Sequence, residues 1–435
     1  MLNPESSMSA KPTLSIPRAS QPLLARILEK RLEELPGADE SLRTTSLLAA
    51  LLEDAQRERA SDVHLDPDSE GYQLRFRIDG SVIDTIRVSA LDGRRVVRAC
   101  KSLANLDPSN SRTPQDGRAE FKGGGQAVRV RAAVVPTVAG EKLSLRLLPA
   151  GLTWRKLDEL GLSAPDCDLL RAAAQDARGM ILLSGPTGSG KTTTLYALIH
   201  ELRPANKSIV TIEDPVEYFV DGITQIQVDE RQGLTFAEGA RGLLRLDPDI
   251  ILMGEMRDAA SARVALDIAD TGHLFLSSVH ARDAVATITA LRNFGLQDFE
   301  IAASLDLIVA QRLVRRLCSK CRKEETPTVA EVRWLECFGQ PIPKKTWHAA
   351  GCPDCSMTGY RGRLGIFEAW RLHEEEADLI LKHTDEHTLR RRLRKQGMSS
   401  LLEDDLSKVS EGITTLAEMQ VMGGFGFYTG GGKSG

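Results

Sequence analysis

The chain has 435 residues, enough for two or three domains at about 150 residues each. Its 56 Lys+Arg against 60 Asp+Glu leave a net charge of −4, which disfavours a dedicated nucleic-acid binder, since such proteins carry a basic excess. Apolar residues make up 42% and charged residues 27%, and no run approaches the ~18 consecutive apolar residues that would suggest a membrane-spanning helix. The N-terminus lacks the apolar stretch of a secretory signal, so a cytoplasmic location is expected, and the seven cysteines need a role other than disulfides.

In chain order, residues 1–44 read as a flexible leader rich in Ser, Pro and Ala, with a short helix at 23–35 stopped by Pro36-Gly37. Residues 44–59 have the spacing of an amphipathic helix, with Leu47, Leu48, Leu51, Leu52 and Ala55 on one face. Alternating runs at 73–78, 127–135 and 142–148 predict strands, the first meeting a turn at Asp79-Gly80. Together these make a small α+β domain over 45–150. From 151 to 425 the pattern becomes apolar strands (180–184, 208–213, 250–254, 274–279) alternating with helices (191–203, 236–246, 259–270), the signature of a parallel sheet. A cysteine-bearing insert occupies 318–355, helices follow over 374–422, and 426–435 is a glycine-rich tail.

The strongest local signal is Gly185-Pro186-Thr187-Gly188-Ser189-Gly190-Lys191-Thr192, a complete G-x-x-x-x-G-K-[ST] between an apolar strand and a helix. The glycines let backbone N–H groups converge on phosphate, and the helix start adds partial positive charge. Lys191 is expected to reach the β- and γ-phosphates of ATP, and the Thr192 hydroxyl to hold Mg²⁺. Hydrolysis also needs a group that orients water. Glu255 follows the apolar run 250–253 in a Walker-B-like setting and is the first candidate. Glu213, in Thr211-Ile212-Glu213-Asp214-Pro215, reads either as a water-positioning group or as a supporting one. His280 leaves the 274–279 strand at its ligand end, as a γ-phosphate sensor or a structural histidine, and His273 sits at the opposite end.

Cys318-x-x-Cys321 and Cys352-x-x-Cys355 form two knuckles whose four thiolates suit a closed tetrahedral Zn²⁺ site without a catalytic position. Cys100, Cys167 and Cys337 have no partner at metal spacing.

Taken in order, these motifs resemble the secretion ATPases of type II secretion systems and type IV pilus assembly over about residues 45–425. Further matches are Ala60-Ser61-Asp62-Val63-His64-Leu65-Asp66-Pro67, Arg77-Ile78-Asp79-Gly80, Pro114-Gln115-Asp116-Gly117-Arg118, Arg131 to Glu141, and Ala310 to Cys318. The resemblance implies a RecA-like P-loop domain with a four-cysteine zinc insert. It further implies a homo-hexamer with ATP bound between domains and neighbouring subunits. Arginines would complete the site: Arg118 and Arg131 from the first domain, and Arg231, Arg241, Arg245 and Arg312 from the second. Implied partners are an inner-membrane platform protein and a cytoplasmic-domain docking protein, with the chain peripheral on the inner face of the inner membrane. The implied function is a motor for type II secretion, with type IV pilus extension or a DNA-uptake pilus as the alternative. The four-cysteine site disfavours pilus retraction. A nucleic-acid translocase and a non-hydrolysing scaffold are more distant alternatives. With few residues ahead of the first domain, a shortened docking segment and no cyclic-dinucleotide site are expected. Departures from the family pattern are Leu246 for Gln, Ala281 and Arg282 after His280, and Ala132 and Ala133.

Overall fold

The computed structural model describes residues 40–123, 126–148, 155–176, 178–203 and 206–423. The leader up to residue 39 with its 23–35 helix, Pro149-Ala150 and the 426–435 tail lie outside the described residues. The chain divides into two compact units. The first comprises 40–148 together with Cys318–Cys321 and Ala349–Tyr360, and the second comprises the rest.

In the first unit, helix α1 (Glu40–Arg57) turns Leu47, Leu48, Leu51, Leu52 and Ala55 inward, as their spacing requires. Each such leucine contributes about 1.5–3 kcal/mol by leaving water. Six strands follow, with α2 (Ala90–Leu103) after the third: β1 (Ala60–Asp68), β2 (Gly71–Ile78), β3 (Ser81–Val88), β4 (Gln115–Gly123), β5 (Gln126–Thr137) and β6 (Gly140–Leu148). They form one sheet in the order β3-β2-β1-β6-β5-β4, with antiparallel pairings. Val63, Leu65, Leu74, Phe76, Val130, Ala132, Leu143 and Leu145 alternate onto the buried face with α1 and α2. The motif segments at 60–67 and 114–118 fall within or overlap strands here. Their outer-face residues, such as His64, Asp66, Asp116 and Arg118, are polar, so only half of each strand carries an apolar signal.

The second unit holds a seven-stranded sheet in the order β15-β12-β7-β11-β10-β8-β9. These are β7 (Gly179–Ser184), β8 (Ile209–Glu213), β9 (Thr224–Gln227), β10 (Ile250–Met253), β11 (Leu274–Val279), β12 (Leu305–Leu317) and β15 (Tyr360–Arg371). Pairings from β12 through β9 are parallel. Successive residues of β7 enter opposite cores: Met180 and Leu182 join one cluster, Ile181 and Leu183 another. The sheet is therefore covered on both faces, which is why its central strands read as unbroken apolar runs. Between them run α3 (Ala164–Gln175), α4 (Lys191–Leu202), α5 (Phe236–Leu243), α6 (Ala259–Asp270), α7 (Ala284–Asn293) and α8 (Asp298–Ser304). The helix expected to reach 246 ends at Leu243 and tightens to a 3₁₀ turn over Leu244–Leu246. Asp247 then turns left-handed (φ 50°) ahead of Pro248, whose ring disfavours helical backbone in the residue before it. The C-terminal helices are α10 (Glu374–Leu381), α11 (Glu386–Lys395), α12 (Leu401–Ser410) and α13 (Leu416–Gly423).

The segment 318–355 does not stay together as the single insert its cysteine spacing suggested. Both knuckles group with the first unit, where the Ser356 hydroxyl donates to Glu58 Oε2 at 2.5 Å. The intervening residues, β13 (Arg322–Glu325), α9 (Val329–Cys337) and most of β14 (Thr346–Ala349), group with the second. There Leu335 is buried against Leu402, Leu406, Val409, Leu416 and Met419.

Candidate functional site

The glycine-rich loop joins β7 to α4. Gly188 (φ 77°) and Gly190 (φ 92°) take left-handed backbone that a side chain would strain, and Gly190 caps the start of α4. The Gly185 N–H donates to the Val279 carbonyl at 3.2 Å, tying the loop to the end of β11. Lys191 Nζ donates to the carbonyls of Gly185 (2.7 Å) and Pro186 (3.2 Å), so its ammonium lies in the curl of the loop. The Ser189 hydroxyl is buried in the same curl with no hydrogen-bond partner among the described residues. Pro186, Thr187 and Gly188 are exposed, and so is Thr192 on the first turn of α4. An open loop with an inward ammonium and a helix start fits a phosphate chain.

The parallel register brings Glu213, Glu255 and His280 to the same end of β8, β10 and β11. Backbone bonds from Gly254 N–H to Ile212 O (2.8 Å) and from Met256 N–H to Ser278 O (2.8 Å) zip these strand ends together. His280 Nε2 lies 3.2 Å from Glu255 Oε2, and Arg257 bonds the other oxygen, Oε1. Arg257 also pairs with Asp214 at 3.2 Å and lies over the Phe236 ring, 5.3 Å from its centroid. Burial pushes His280 below its ordinary pKa, and the nearby charges of Lys191 and Arg257 add to the shift, so the imidazole is neutral at pH 7. His273, at the far end of β11, contacts Thr271 Oγ1 at 2.8 Å.

Glu213 has a different setting. It is buried, with Oε2 accepting from the Tyr196 hydroxyl (2.6 Å) and Oε1 from Thr211 (2.7 Å) and Gln225 (3.3 Å). Both oxygens are thus engaged by the protein's own donors.

Arg312 stands beside the phosphate loop. A Cβ on Gly185 would lie 3.1 Å from its Nη1 and 2.5 Å from the Gln311 carbonyl. Arg312 donates to the carbonyls of Gln311 (3.0 Å) and Arg282. Arg241 is exposed and paired with Glu238 at 2.5 Å, and Arg245 and Arg231 are exposed on turns. In the first unit, Arg118 and Arg131 face each other on β4 and β5, and Arg131 is also opposite Arg146 on β6.

Sequence reading missed Arg257, Gln311 and Arg282. Arg257 follows Glu255 by two residues, but its capture of Asp214 is tertiary. Gln311 lies inside the 310–318 motif; buried, it accepts from the Thr194 hydroxyl at 2.8 Å and so braces α4. Arg282, one of the departures, pairs with Glu386.

The four knuckle thiols gather in the first unit, all within 4.8 Å of one another. Sulfur separations are 3.8 Å (Cys318–Cys352), 3.8 Å (Cys321–Cys355) and 3.7 Å (Cys352–Cys355). A tetrahedron of Zn–S bonds near 2.3 Å requires S···S of about 3.8 Å, whereas a disulfide needs ~2.05 Å. The N–H groups of Cys352 and Gly359 each point at Cys355 Sγ (3.2 Å), which suits a thiolate. The donor set fits Zn²⁺.

The profile of the family described as "Type II/IV secretion system protein" matches residues 38–421. The chain is 39% identical over 393 residues to the Type II secretion system ATPase E of Vibrio cholerae, covering 89% of this chain and 78% of that one. It is 38% identical over 394 residues to the type IV pilus assembly ATPase PilB of Myxococcus xanthus, covering 90% and 69%. Among solved structures, the Legionella pneumophila ATPase DotB aligns with a TM-score of 0.64 at 22% identity, covering 87% of this chain and 95% of DotB. The pilus retraction motor PilT aligns with a TM-score of 0.59 at 24% identity, covering 86% and 95%. These two likenesses establish a shared α/β fold. With its profile matched over nearly the whole length, and with relatives this similar, the chain belongs to the type II/IV secretion system protein family.

Proposed function

We propose that this chain is an ATPase motor that couples ATP hydrolysis to pseudopilus assembly and protein export in a type II secretion system. One observation carries the reading: Lys191, Glu255 and His280 converge at the ends of adjacent parallel strands, in a chain 39% identical to a type II secretion ATPase. The loop N–H groups and Lys191 bind the phosphates. Thr192 would hold a Mg²⁺ ion, which when bound would supply positive charge to the phosphates. Glu255, oriented by His280 and Arg257, polarises the attacking water. Glu213, buried beneath Tyr196, Thr211 and Gln225, supports that end of the sheet, whereas the Glu255 side chain is 21% exposed. Arg312 adds charge beside the loop, where negative charge builds on the transferred phosphoryl group.

We further propose that the chain forms a homo-hexamer in which Arg118, Arg131, Arg241 and Arg245 complete sites between copies. That hexamer meets platform and docking partners at the inner face of the inner membrane. Among the described residues, no helix is long and apolar enough to cross a membrane.

Glu255→Gln should lower ATP turnover by about 10²-fold or more, because the amide polarises water poorly, while ATP binding persists. Phosphate release and nucleotide binding measured on one preparation check this, and normal hydrolysis would move the role to Glu213. Burial, with Arg312 alongside, lowers Lys191 to about 8. A bound phosphate restores its proton. ATP binding at pH 8 should therefore take up protons, and affinity should fall as pH rises past 8. Calorimetry in two buffers of different ionisation enthalpy reads the uptake, and no buffer dependence would contradict it.

The M. xanthus pilus assembly relative, at 38% identity, favours type IV pilus extension as the second reading. Inactivating the gene in its host separates the two. Lost export with surface pili intact supports secretion, and lost pili with export intact supports the pilus.

A further inference from the structure

Glu368 lies on β15 and is only 6% exposed. Its Oε1 accepts the Ala284 N–H at 2.9 Å, and its Oε2 accepts the Leu401 N–H at 3.3 Å. These are the first residues of α7 and α12, each ten residues long. N–H groups in a helix's first turn have no partner within the helix and carry partial positive charge. One carboxylate therefore serves two helix starts that are far apart in sequence.

Helix α7 begins where the 280–283 loop ends. Asp283 accepts from the Ala286 N–H at 2.7 Å and pairs with Arg390 of α11 at 2.8 Å. The Arg282 carbonyl accepts from Arg312. At the loop's other end His280 meets Glu255 at 3.2 Å. Glu368 thus holds the exit of a loop whose entrance carries a candidate catalytic histidine.

We propose that Glu368 is a positioning residue: by holding the N–H groups of Ala284 and Leu401, it sets the 280–283 loop and so seats His280 on Glu255. The consequence for turnover rests on the ATPase reading above; the local tie does not.

The charged groups facing Glu368 are Asp283, Arg390 on α11 and Arg312 on β12. On α12, Asp404 is bonded to Lys408 and accepts the neighbouring Phe367 N–H at 2.8 Å. Burial, and next Asp283, raise the Glu368 carboxyl to about 7. Ionised, both oxygens accept. Protonated, one becomes a donor and one helix start loses its acceptor. The ionised form populates as pH rises through about 7, so the tie strengthens and turnover rises in that direction.

The test is amide hydrogen exchange on the full chain at pH 8, paired with turnover from pH 6 to 8. Glu368→Gln, which keeps one acceptor oxygen, should quicken exchange about tenfold at whichever of Ala284 and Leu401 then faces the amide nitrogen, leave β10 and β11 unchanged, and flatten the rise in turnover. Unchanged exchange at both amides, or a wild-type rise in the variant, overturns the proposal. Should the variant not fold, wild-type turnover that does not rise between pH 6 and 8 overturns it. Lys191→Ala separates the two readings. If turnover survives that change, the ATPase reading fails, while the exchange result at 284 and 401 still decides the role of Glu368 in the loop.

Discussion

Lys191→Ala should lower ATP turnover by about 10³-fold or more while the chain stays folded. The ammonium is held 2.7 Å from the Gly185 carbonyl and 3.2 Å from that of Pro186, inside the curl that would take the phosphates. Alanine leaves the backbone cradle but removes the one full charge that the loop itself carries. A 10³-fold loss corresponds to about 4 kcal/mol of transition-state stabilisation, the scale of a preorganised charge in a site shielded from water. Arg312 stands nearby on β12 but bonds the carbonyls of its neighbour Gln311 and of Arg282 in the 280–283 loop, so it does not substitute for a charge carried on the phosphate loop. Stability should change little, because Lys191 bonds only two carbonyls of its own loop. Phosphate release and thermal melting measured together check both halves. Turnover within tenfold of wild type would sink the assignment.

Metal analysis of the purified protein should find one zinc per chain, and Cys352→Ser or a strong chelator should remove it. The three S···S separations of 3.7–3.8 Å fit a ZnS₄ tetrahedron. Structural zinc adds its binding free energy to folding, about 10–16 kcal/mol in small zinc peptides. Here the knuckles sit on an already folded unit, so only part of that appears in melting, a drop on the order of 10 °C. Protease sensitivity should increase at 318–321 and 349–360, where backbone order depends on the thiolates. Acid should act like the chelator, since the thiolates must stay deprotonated to hold the ion. Intact, zinc-free protein with native stability would refute the site.

The phosphate loop was legible because its chemistry is local. Curling backbone around phosphate demands glycine at 188 and 190, and the lysine must follow directly at the helix start. The knuckles were legible for the same reason, since two residues between cysteines is the spacing that points both thiolates one way. The central strands 180–184 and 274–279 announced themselves because a sheet covered on both faces admits no polar alternation. The strands at 60–68 and 115–123 did not, because their outer faces carry His64, Asp66, Asp116 and Arg118.

What the sequence by itself determined was therefore the class of chemistry: a phosphate cradle, a carboxylate after an apolar strand, and a four-thiolate centre. Tertiary structure decided which carboxylate stays open to solvent: Glu213 is buried, whereas the Glu255 side chain is 21% exposed. Glu213 and Glu255 both end apolar strands, yet Tyr196, Thr211 and Gln225 occupy the first, while His280 and Arg257 orient the second. It decided that the knuckles group with the first unit, and that Glu368 joins two helix starts at Ala284 and Leu401. The physical reason is common to all three. A periodic pattern reports which face of an element is buried, but a buried polar group is defined by partners tens to hundreds of residues away, and only packing brings them together.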